Sequence, residues 1–416
     1  MVLEIRLSNF FSINDEVVLD MRAANIQTKK AKELEGNTFV CNGERLLKTA
    51  AIYGANASGK SNIIKAIRAC VQMIFESHNY NGNTVFAFTP FKFGDANKPS
   101  RFLIRFLMDG IEYEYAFSMT KYQIITESLY YYPRGRRSLV FARDERKGPD
   151  KKDIYEFRSA ISRPMDVAAN TSEKTLFVSR ASQMDRKIAK DVFQYFNTRF
   201  ILNYYGYNAY SVETLLNQNK ELFLKVLRIA DSDIVEIQTQ RELKPLTMAT
   251  YDWQNNQIIS KDEIQKMQLK ITTFHRNNPE VPFDFYTEES QGTQALFGMM
   301  LTILNIVKEN KILLIDEIDT SLHNKLVEYI IGLFHQSDSA QLIYTTHNTY
   351  LLDTDKLRKD QVYFVNKRKD GSSELYSLFD FKDFRENMDL EKAYMQGRFD
   401  AIPYIDDSND NLKELE

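Results

Sequence analysis

The chain has 416 residues, of which 43% are hydrophobic, and this is long enough for one large or two moderate folded domains. Its net charge of −3 leaves only a local basic patch as a route to nucleic acid. Two cysteines are too few for a disulfide scaffold or a zinc cluster. The N-terminus lacks a signal-peptide core, and no apolar run reaches the roughly 18 residues of a membrane span. We therefore expect a cytoplasmic protein without membrane contact.

Residues 1–150 are predicted to form an N-terminal lobe that contains several strands and one helix. Apolar residues alternate or cluster in a way that predicts strands at 2–8, 17–19, 49–53 and within 86–141. Asp109-Gly110 divides the last of these regions as a hairpin turn does, so we expect an antiparallel β subdomain there. A helix is predicted from about residue 60 to Phe75.

The rest of the chain is predicted to contain two further parts. Residues 151–280 are expected to be a mostly helical insertion, with helices over 188–200 and 212–230 and a mixed pattern after them. Residues 281–416 are expected to be a C-terminal lobe in which helices alternate with buried parallel strands. The predicted fold class is therefore α/β.

Residues 54–62 carry a phosphate-binding motif. The sequence G-x-x-x-x-G-K-S lies between a predicted strand and a predicted helix, which is the context that this motif requires. Backbone N–H groups and the helix N-terminus would bind phosphate, Lys60 would reach the β- and γ-phosphates, and the Ser61 hydroxyl would bind Mg²⁺. The predicted nucleotide-binding residues are Gly54, Ala55, Asn56, Ala57, Ser58, Gly59, Lys60, Ser61 and Asn62.

A second group of candidate residues follows the apolar run 312–315. Asp316 lies at the end of a predicted central strand, where a carboxylate holds Mg²⁺ directly or through water. Glu317 is the candidate catalytic base, because it would polarise the water that attacks the γ-phosphate of ATP. Taken alone, two acids after an apolar run are about equally typical of a surface turn. The phosphate-binding motif upstream favours a nucleotide site.

Two further motifs narrow the class of nucleotide site. Ser290 and Gly292 precede a predicted helix, where a hydroxyl and backbone amides form a second anion site. His347 follows the predicted strand 341–346, at the carboxyl end where open α/β sheets bind ligands. Alone, the first motif is as often an ordinary helix cap, and the second is more often a structural histidine. The order of the four motifs along the chain favours a functional role for both.

That order of motifs resembles the ATP-binding-cassette (ABC) ATPases, in particular their SMC, RecF and OLD-like branch. The chain is most similar to the small stand-alone prokaryotic ATPases classed as AAA family 15, several of which belong to two-gene phage-defence systems. The matching blocks are GANASGKSN (54–62), ESQGTQ (289–294), LLIDEIDTSLH (313–323), TTHN (345–348), and two C-terminal stretches at 362–381 and 388–403.

The resemblance implies a fold and further residue roles. It implies an ABC-ATPase head with a mixed or parallel central sheet, an antiparallel β subdomain and an inserted helical subdomain. Ser290 and Gly292 would contact the γ-phosphate of ATP held by a second protomer, Asp319 would cross the dimer interface, and His347 would sense the γ-phosphate. ATP and Mg²⁺ are the implied cofactors, and a homodimer or higher homo-oligomer with composite ATP sites is the implied assembly.

The chain departs from the cassette pattern at one position. Other cassettes offer a Gln to Mg²⁺ and to the attacking water, and we expect the corresponding loop near residues 85–95. That segment contains no Gln, and Gln72 falls within the predicted helix. The resemblance therefore implies an ATPase whose hydrolysis is slow, or in which bound nucleotide itself acts as the switch.

Three functions follow from these residues and the resemblance. The leading one is a nucleotide-dependent dimerising switch that responds to a phage-derived trigger and controls a separately encoded nuclease or toxin. The alternatives are a DNA-repair ATPase that binds duplex ends, and a scaffold that holds ATP with negligible turnover. A cluster of basic residues is a candidate nucleic-acid contact, although a solvated loop is the more ordinary reading; it comprises Arg134, Arg136, Arg137, Arg143, Arg146 and Lys147.

Overall fold

A computed structural model describes residues 1–86, 88–202, 209–229, 233–252, 257–320, 322–385 and 388–401. The chain forms two compact units. The first unit consists of Met1–Leu202 together with Glu309–Glu416, and the second consists of Asn203–Lys308. Among the described helices, none combines the length and the apolar composition that a bilayer crossing needs.

The first segment of the first unit contains eleven of the described strands and six of the described helices. Its strands are β1 (Val2–Ser8), β2 (Val17–Asp20), β3 (Thr38–Cys41), β4 (Glu44–Leu47), β5 (Thr49–Gly54), β6 (Ser100–Met108), β7 (Ile111–Met119), β8 (Ile124–Tyr131), β9 (Ser138–Asp144), β10 (Tyr155–Phe157) and β11 (Phe200–Ile201). Its helices are α1 (Lys29–Glu33), α2 (Lys60–Glu76), α3 (Lys151–Ile154), α4 (Pro164–Ala169), α5 (Phe177–Gln183) and α6 (Lys187–Arg199).

The second unit and the return to the first unit complete the chain. The second unit contains α7 (Ala209–Ile229), β12 (Ile234–Asp252), β13 (Gln257–His275), β14 (Asn278–Asp284) and α8 (Gln291–Lys308). The returning segment contains β15 (Ile312–Ile315), α9 (Asn324–Gln336), β16 (Gln341–Thr345), β17 (Val362–Lys367), β18 (Ser373–Ser377) and α10 (Leu390–Met395).

The central sheet of the first unit is mixed and mostly parallel. Its strand order is β11-β15-β16-β5-β17-β18, and only β18 runs antiparallel to its neighbour. Every residue of β5, β15 and β16 is buried. Helices α2 and α9 both contact β5 and β16. Because side chains on both faces of these strands are covered, the strands appear in the sequence as uninterrupted apolar runs.

A seven-stranded antiparallel sheet forms the other large layer of the first unit. Its order is β10-β9-β8-β7-β6-β1-β2, which confirms the predicted antiparallel subdomain and adds the two N-terminal strands to it. The predicted hairpin turn lies between β6 and β7, where Asp109 and Gly110 both have positive φ angles of 51° and 74°. A type I′ turn requires this conformation, which is why Asp-Gly suits it.

The second unit is built on a long β-hairpin. Strands β12 and β13 pair from Ile234 opposite His275 to Asp252 opposite Gln257, and β14 pairs with the base of β13. Helix α7 packs against α8 and against both strands of the hairpin.

The prediction of a mostly helical insertion at 151–280 needs correction. Helices α3 to α6 belong to the first unit, and residues 234–284 form strands. Beyond the base of the hairpin, the paired side chains of Leu243 and Met267 are 62% and 49% exposed. The next pair, Lys244 and Lys266 on the other face, is exposed as well. Strands that are open to solvent on both faces at these positions do not show the alternation that identifies a half-buried strand.

Candidate nucleotide-binding site

The phosphate-binding motif forms a tight loop between β5 and α2. Two of its positions accept only glycine, because their φ angles are 155° at Gly54 and 109° at Gly59. A Cβ atom at Gly54 would lie 2.4 Å from the Val365 carbonyl oxygen, and one at Gly59 would lie 2.0 Å from the Ser373 hydroxyl oxygen. The glycines therefore let the loop approach β17 and β18 closely.

Lys60 is the first residue of α2, and its side chain is buried. Its ammonium group donates hydrogen bonds to the carbonyl oxygens of Gly54 (2.8 Å) and Ala55 (2.9 Å), and it lies 3.4 Å from Nδ1 of His347. Burial lowers the pKa of Lys60 to about 8, against the opposing effect of Glu317 and other nearby carboxylates. A second anionic partner, such as a phosphate, would relieve this cost of burial.

The two acids that follow β15 are held by one threonine of β16. The Thr345 hydroxyl accepts a hydrogen bond from the Glu317 backbone N–H (2.7 Å) and donates one to Oδ1 of Asp316 (2.6 Å). Glu317 has a φ angle of 53°, which is uncommon for a residue other than glycine. Sequence reasoning gave Thr345 no role; its position two residues before His347 was the available signal.

Asp319 and His347 lie at the same carboxyl edge of the central sheet. Oδ1 of Asp319 accepts a hydrogen bond from the Thr346 hydroxyl (2.7 Å). Nε2 of His347 lies 4.0 Å from Oε1 of Glu317. Burial and the Lys60 ammonium lower the pKa of His347. The first unit therefore brings Lys60, Asp316, Glu317, Asp319 and His347 together, as the order of motifs predicts.

The loop is also fixed on the side where α2 begins. Asn62 donates a hydrogen bond through Nδ2 to the Ser12 hydroxyl (2.7 Å). The Ser373 hydroxyl contacts both the Ser12 hydroxyl (2.7 Å) and the Ser58 carbonyl oxygen (2.5 Å). Ser61 is half-buried, whereas Asn56 and Ala57 are exposed. Ser12 and Ser373 were not predicted as site residues, because each is distant in sequence from the loop that it touches.

Ser290 and Gly292 lie in the second unit, at the start of α8. The Ser290 hydroxyl accepts a hydrogen bond from the Thr293 backbone N–H (3.1 Å), so it caps the helix. Both residues are exposed. The preceding Glu289 accepts hydrogen bonds from the side chains of Thr273 and His275 at the base of the hairpin. The position of the cap is therefore set by β13.

The segment near residues 85–95, in which the cassette pattern places a magnesium-binding Gln, contacts the turn after β1. The Phe11 N–H donates to the Thr89 carbonyl oxygen (2.7 Å), and the Phe91 N–H donates to Oδ1 of Asn9 (3.1 Å).

The remaining candidates from the sequence are Gln72 and the cluster of basic residues. Gln72 is exposed on α2, where its side chain donates to Oε1 of Glu76 (3.0 Å). Within the basic cluster, Arg143 is completely buried and donates to the backbone carbonyls of Ser172 and Thr175. The six residues therefore do not form one common basic surface, because Arg143 does not reach solvent.

Comparisons with known proteins agree with a nucleotide site. The profile of the family described as "AAA domain, putative AbiEii toxin, Type IV TA system" matches residues 50–353, a span that includes the phosphate-binding loop and His347. No curated protein sequence matches the chain.

Several solved structures also match over most of the chain. An SMC head domain from Thermotoga maritima is 14% identical, with 90% of this chain and 98% of that chain covered and a TM-score of 0.38. An Smc head domain with an extended coiled coil, bound to the C-terminal domain of ScpA derived from Pyrococcus furiosus, is 15% identical, with 95% and 98% covered and a TM-score of 0.37.

Proposed function

The chain belongs to this AAA-domain family, and we propose that it binds ATP with Mg²⁺ and hydrolyses it at the carboxyl edge of the central sheet. The observation that carries the proposal is the convergence of Lys60, Asp316, Glu317 and His347. Asp316, Glu317 and His347 follow the adjacent parallel strands β15 and β16, and Lys60 begins the helix after the loop that follows β5. Ligands bind at such an edge in open α/β sheets.

The residues present fit a magnesium-bound triphosphate. The loop between Gly54 and Lys60 ends at the N-terminus of α2, where backbone N–H groups and the helix dipole favour phosphate. The Ser61 hydroxyl and the Asp316 carboxylate are the hard oxygen ligands that Mg²⁺ prefers. Bound Mg²⁺ would neutralise charge on the β- and γ-phosphates.

Glu317 is the group that would accept a proton from the attacking water. Its backbone N–H is held by Thr345, and one carboxylate oxygen accepts a hydrogen bond from the Thr320 hydroxyl (3.2 Å). Its left-handed φ angle is the kind of local strain that is stored at functional sites. A nearby His347 would hydrogen-bond the γ-phosphate and so link the presence of that phosphate to the position of Glu317.

We further propose that ATP closes a dimer and that hydrolysis opens it. Ser290 presents an exposed helix N-terminus, which is suited to the phosphate of a second protomer's nucleotide. Asp319 would contact the second protomer from the loop after β15. The matched family is described as a putative toxin of a type IV TA system, a kind of system with more than one component. We propose that in this chain the switch controls a separately encoded effector in antiviral defence. Phage infection would then supply the trigger.

Replacing Glu317 tests the catalytic part of the proposal. Glu317→Gln keeps the size of the side chain but removes the base, so ATP turnover should fall at least about 100-fold. Because the variant still binds ATP, it should form more dimer with ATP than the wild type does, measured by light scattering after size-exclusion chromatography. Glu309→Gln, an exposed glutamate before β15, is the matched control and should behave as wild type. Wild-type turnover no faster than that of Glu317→Gln would contradict hydrolysis at this site.

A further inference from the structure

Phe93 is an unusually exposed aromatic residue. Its side chain is 79% exposed, the largest fraction among the large apolar side chains that the structure describes. Its ring meets the buried Phe91 edge-to-face, with 5.6 Å between the ring centroids. Single exposed apolar residues are common on protein surfaces, so exposure alone gives Phe93 no function. Its position relative to the phosphate-binding loop is what distinguishes it.

Phe93 lies beside the turn that supports the phosphate-binding loop. Gly371 lies in the turn between β17 and β18, and a Cβ atom there would be only 3.0 Å from Cε2 of Phe93. Two residues later, Ser373 holds the Ser58 carbonyl oxygen and leaves no room for a side chain at Gly59. The turn therefore touches Phe93 on one side and the phosphate-binding loop on the other.

A second set of contacts leads from Phe93 to the start of α2. The neighbouring Gly94 lies close to Asn14: a Cβ atom added at Gly94 would be 3.5 Å from Oδ1 of Asn14. Asn14 belongs to the same turn as Ser12, whose hydroxyl accepts a hydrogen bond from Asn62. Asn62 lies in the first turn of α2, beyond the residues that would hold the β- and γ-phosphates. Phe93 thus lies toward the nucleoside end of the site.

The strand order independently places Phe93 toward the nucleoside end of the site. The reactive end of the site lies over β15 and β16, where Asp316, Glu317 and His347 are found, on one side of β5. The turn that touches Phe93 joins β17 and β18, on the other side of β5 and at the same edge of the sheet. Neighbouring strands are about 4.8 Å apart, so β16 and β17, which lie on either side of β5, are about 10 Å apart. That is roughly the distance from a γ-phosphate to its base.

From these contacts we infer that Phe93 stacks on the purine base of the bound nucleotide. This rests on the proposed ATP site and adds a specificity-determining residue to it. An exposed ring has a free π face, and base–aromatic stacking needs no hydrogen-bond pattern. A purine offers more area to the ring than a pyrimidine does, so ATP and GTP should bind more tightly than CTP and UTP.

Replacing the ring tests this inference. Phe93→Ala should raise the Kd for ATP with Mg²⁺ about tenfold in isothermal titration calorimetry. Phe93→Tyr, which keeps the ring, should restore wild-type affinity. Binding of inorganic tripolyphosphate, which has no base, should be the same in all three proteins. Phe379→Ala is the matched control, because Phe379 is 47% exposed but follows β18 at the opposite edge of the sheet.

The outcomes separate the inference from the function on which it rests. If wild type binds ATP and Phe93→Ala binds it equally well, the stacking role is wrong and the ATP site stands. The same conclusion follows if Phe93→Ala loses tripolyphosphate affinity as much as ATP affinity, because the loss is then not a loss of base contact. Wild-type protein that binds neither ligand would contradict the proposed function as well.

Discussion

At the scale of single residues, the buried Lys60 makes nucleotide binding depend on pH. Its pKa of about 8 means that part of the free protein has a neutral Lys60 at pH 8.5. A bound triphosphate favours the charged ammonium and raises this pKa, so binding should take up protons at that pH. Titration calorimetry in two buffers with different ionisation enthalpies measures the uptake. Binding enthalpies that agree in both buffers at pH 8.5 would contradict the prediction.

Thr345 should control the catalytic rate without touching substrate. Thr345→Val removes the hydroxyl that orients Glu317 and Asp316, and it leaves the Glu317 backbone N–H without its acceptor. Leaving this N–H unpaired favours a different position for Glu317. Because the general base is then poorly placed, we expect kcat to fall roughly 10- to 100-fold. ATP affinity should change much less.

Thr345→Ser is the matched control for this residue. Serine keeps the hydroxyl and removes only a methyl group, so steady-state kinetics should show near-wild-type kcat. If both variants lose the same activity, the methyl group and its packing determine the loss, and the positioning role is wrong.

The sequence predicts contacts between residues that are close in the chain, but it does not predict contacts between distant ones. Lys60 and its loop follow from a motif of eight residues, because the strand, turn and helix that shape it are adjacent in the chain. The partners of the loop are different. Ser373 reaches Ser58 across more than 300 residues, and no local pattern marks it. The site's motifs were therefore predictable, and the side chains that hold those motifs in position were not.

At the scale of secondary-structure elements, a buried histidine joins α9 to the central sheet. Nε2 of His335 lies 3.0 Å from the Thr49 hydroxyl of β5 and 3.3 Å from the amide nitrogen of Gln361, just before β17. The Gln361 amide also donates to the Thr49 hydroxyl (2.6 Å). Burial, followed by the nearby Lys48 ammonium, lowers the pKa of His335 to about 3. The neutral imidazole is thus part of the folded structure.

The lowered pKa of His335 predicts that the folded protein becomes less stable in acid. His335 titrates near 6.5 in the unfolded chain, so between pH 6.5 and about 3 only the unfolded state takes up this proton. The free energy of unfolding should therefore fall as pH decreases through this range, by roughly 1 kcal/mol per pH unit from this residue. Above pH 6.5 the residue contributes no pH dependence.

Urea unfolding of wild type and His335→Gln between pH 7 and 4 measures this contribution. The variant can keep a hydrogen bond to Thr49 but does not titrate, so the stability difference between the two proteins should shift in favour of the variant as pH falls. A difference that stays constant over this range would show that His335 is not the group responsible.

Elements with a clear local sequence pattern were predicted well, and elements without one were not. Strand β1 and the β6–β7 hairpin follow from alternation and from Asp109-Gly110. The long hairpin of β12 and β13 was not predicted, because its strands depend on each other and on α7, and the described pair Leu243 and Met267 is exposed. Strand β11 has only two residues, and its pairing with β15 has no local signature.

At the scale of the whole molecule, the chain separates its candidate residues between two units. The phosphate-binding loop, Glu317 and His347 belong to the first unit, and Ser290 belongs to the second. The α/β class and the antiparallel subdomain were predicted correctly from the sequence. The boundaries at 203 and 308 were not, since they depend on which segments contact each other after folding. This separation bears on the proposed dimer, in which each site would combine Lys60 and Glu317 of one protomer with Ser290 of the other.

Mixing inactive variants tests that arrangement. Lys60→Ala should abolish ATP binding but keep the helix cap at Ser290, whereas Ser290→Arg should bind ATP but block the partner's contact with it. Each variant alone should be inactive. In a mixed dimer, one of the two sites would then contain an intact Lys60, Glu317 and Ser290. Random pairing places about half of the protomers in such dimers, so the mixture should regain about a quarter of wild-type ATPase activity.

A second mixture provides the matched control. Lys60→Ala and Glu317→Gln alter residues that would act on the same nucleotide from the same protomer, so every site in their mixed dimer carries one of the two changes. Because no site is complete, that mixture should stay inactive in the same ATPase assay. If Ser290 instead served the nucleotide of its own chain, neither mixture would recover activity. Recovery only when Ser290→Arg is paired with Lys60→Ala thus identifies a site shared between two copies of the chain.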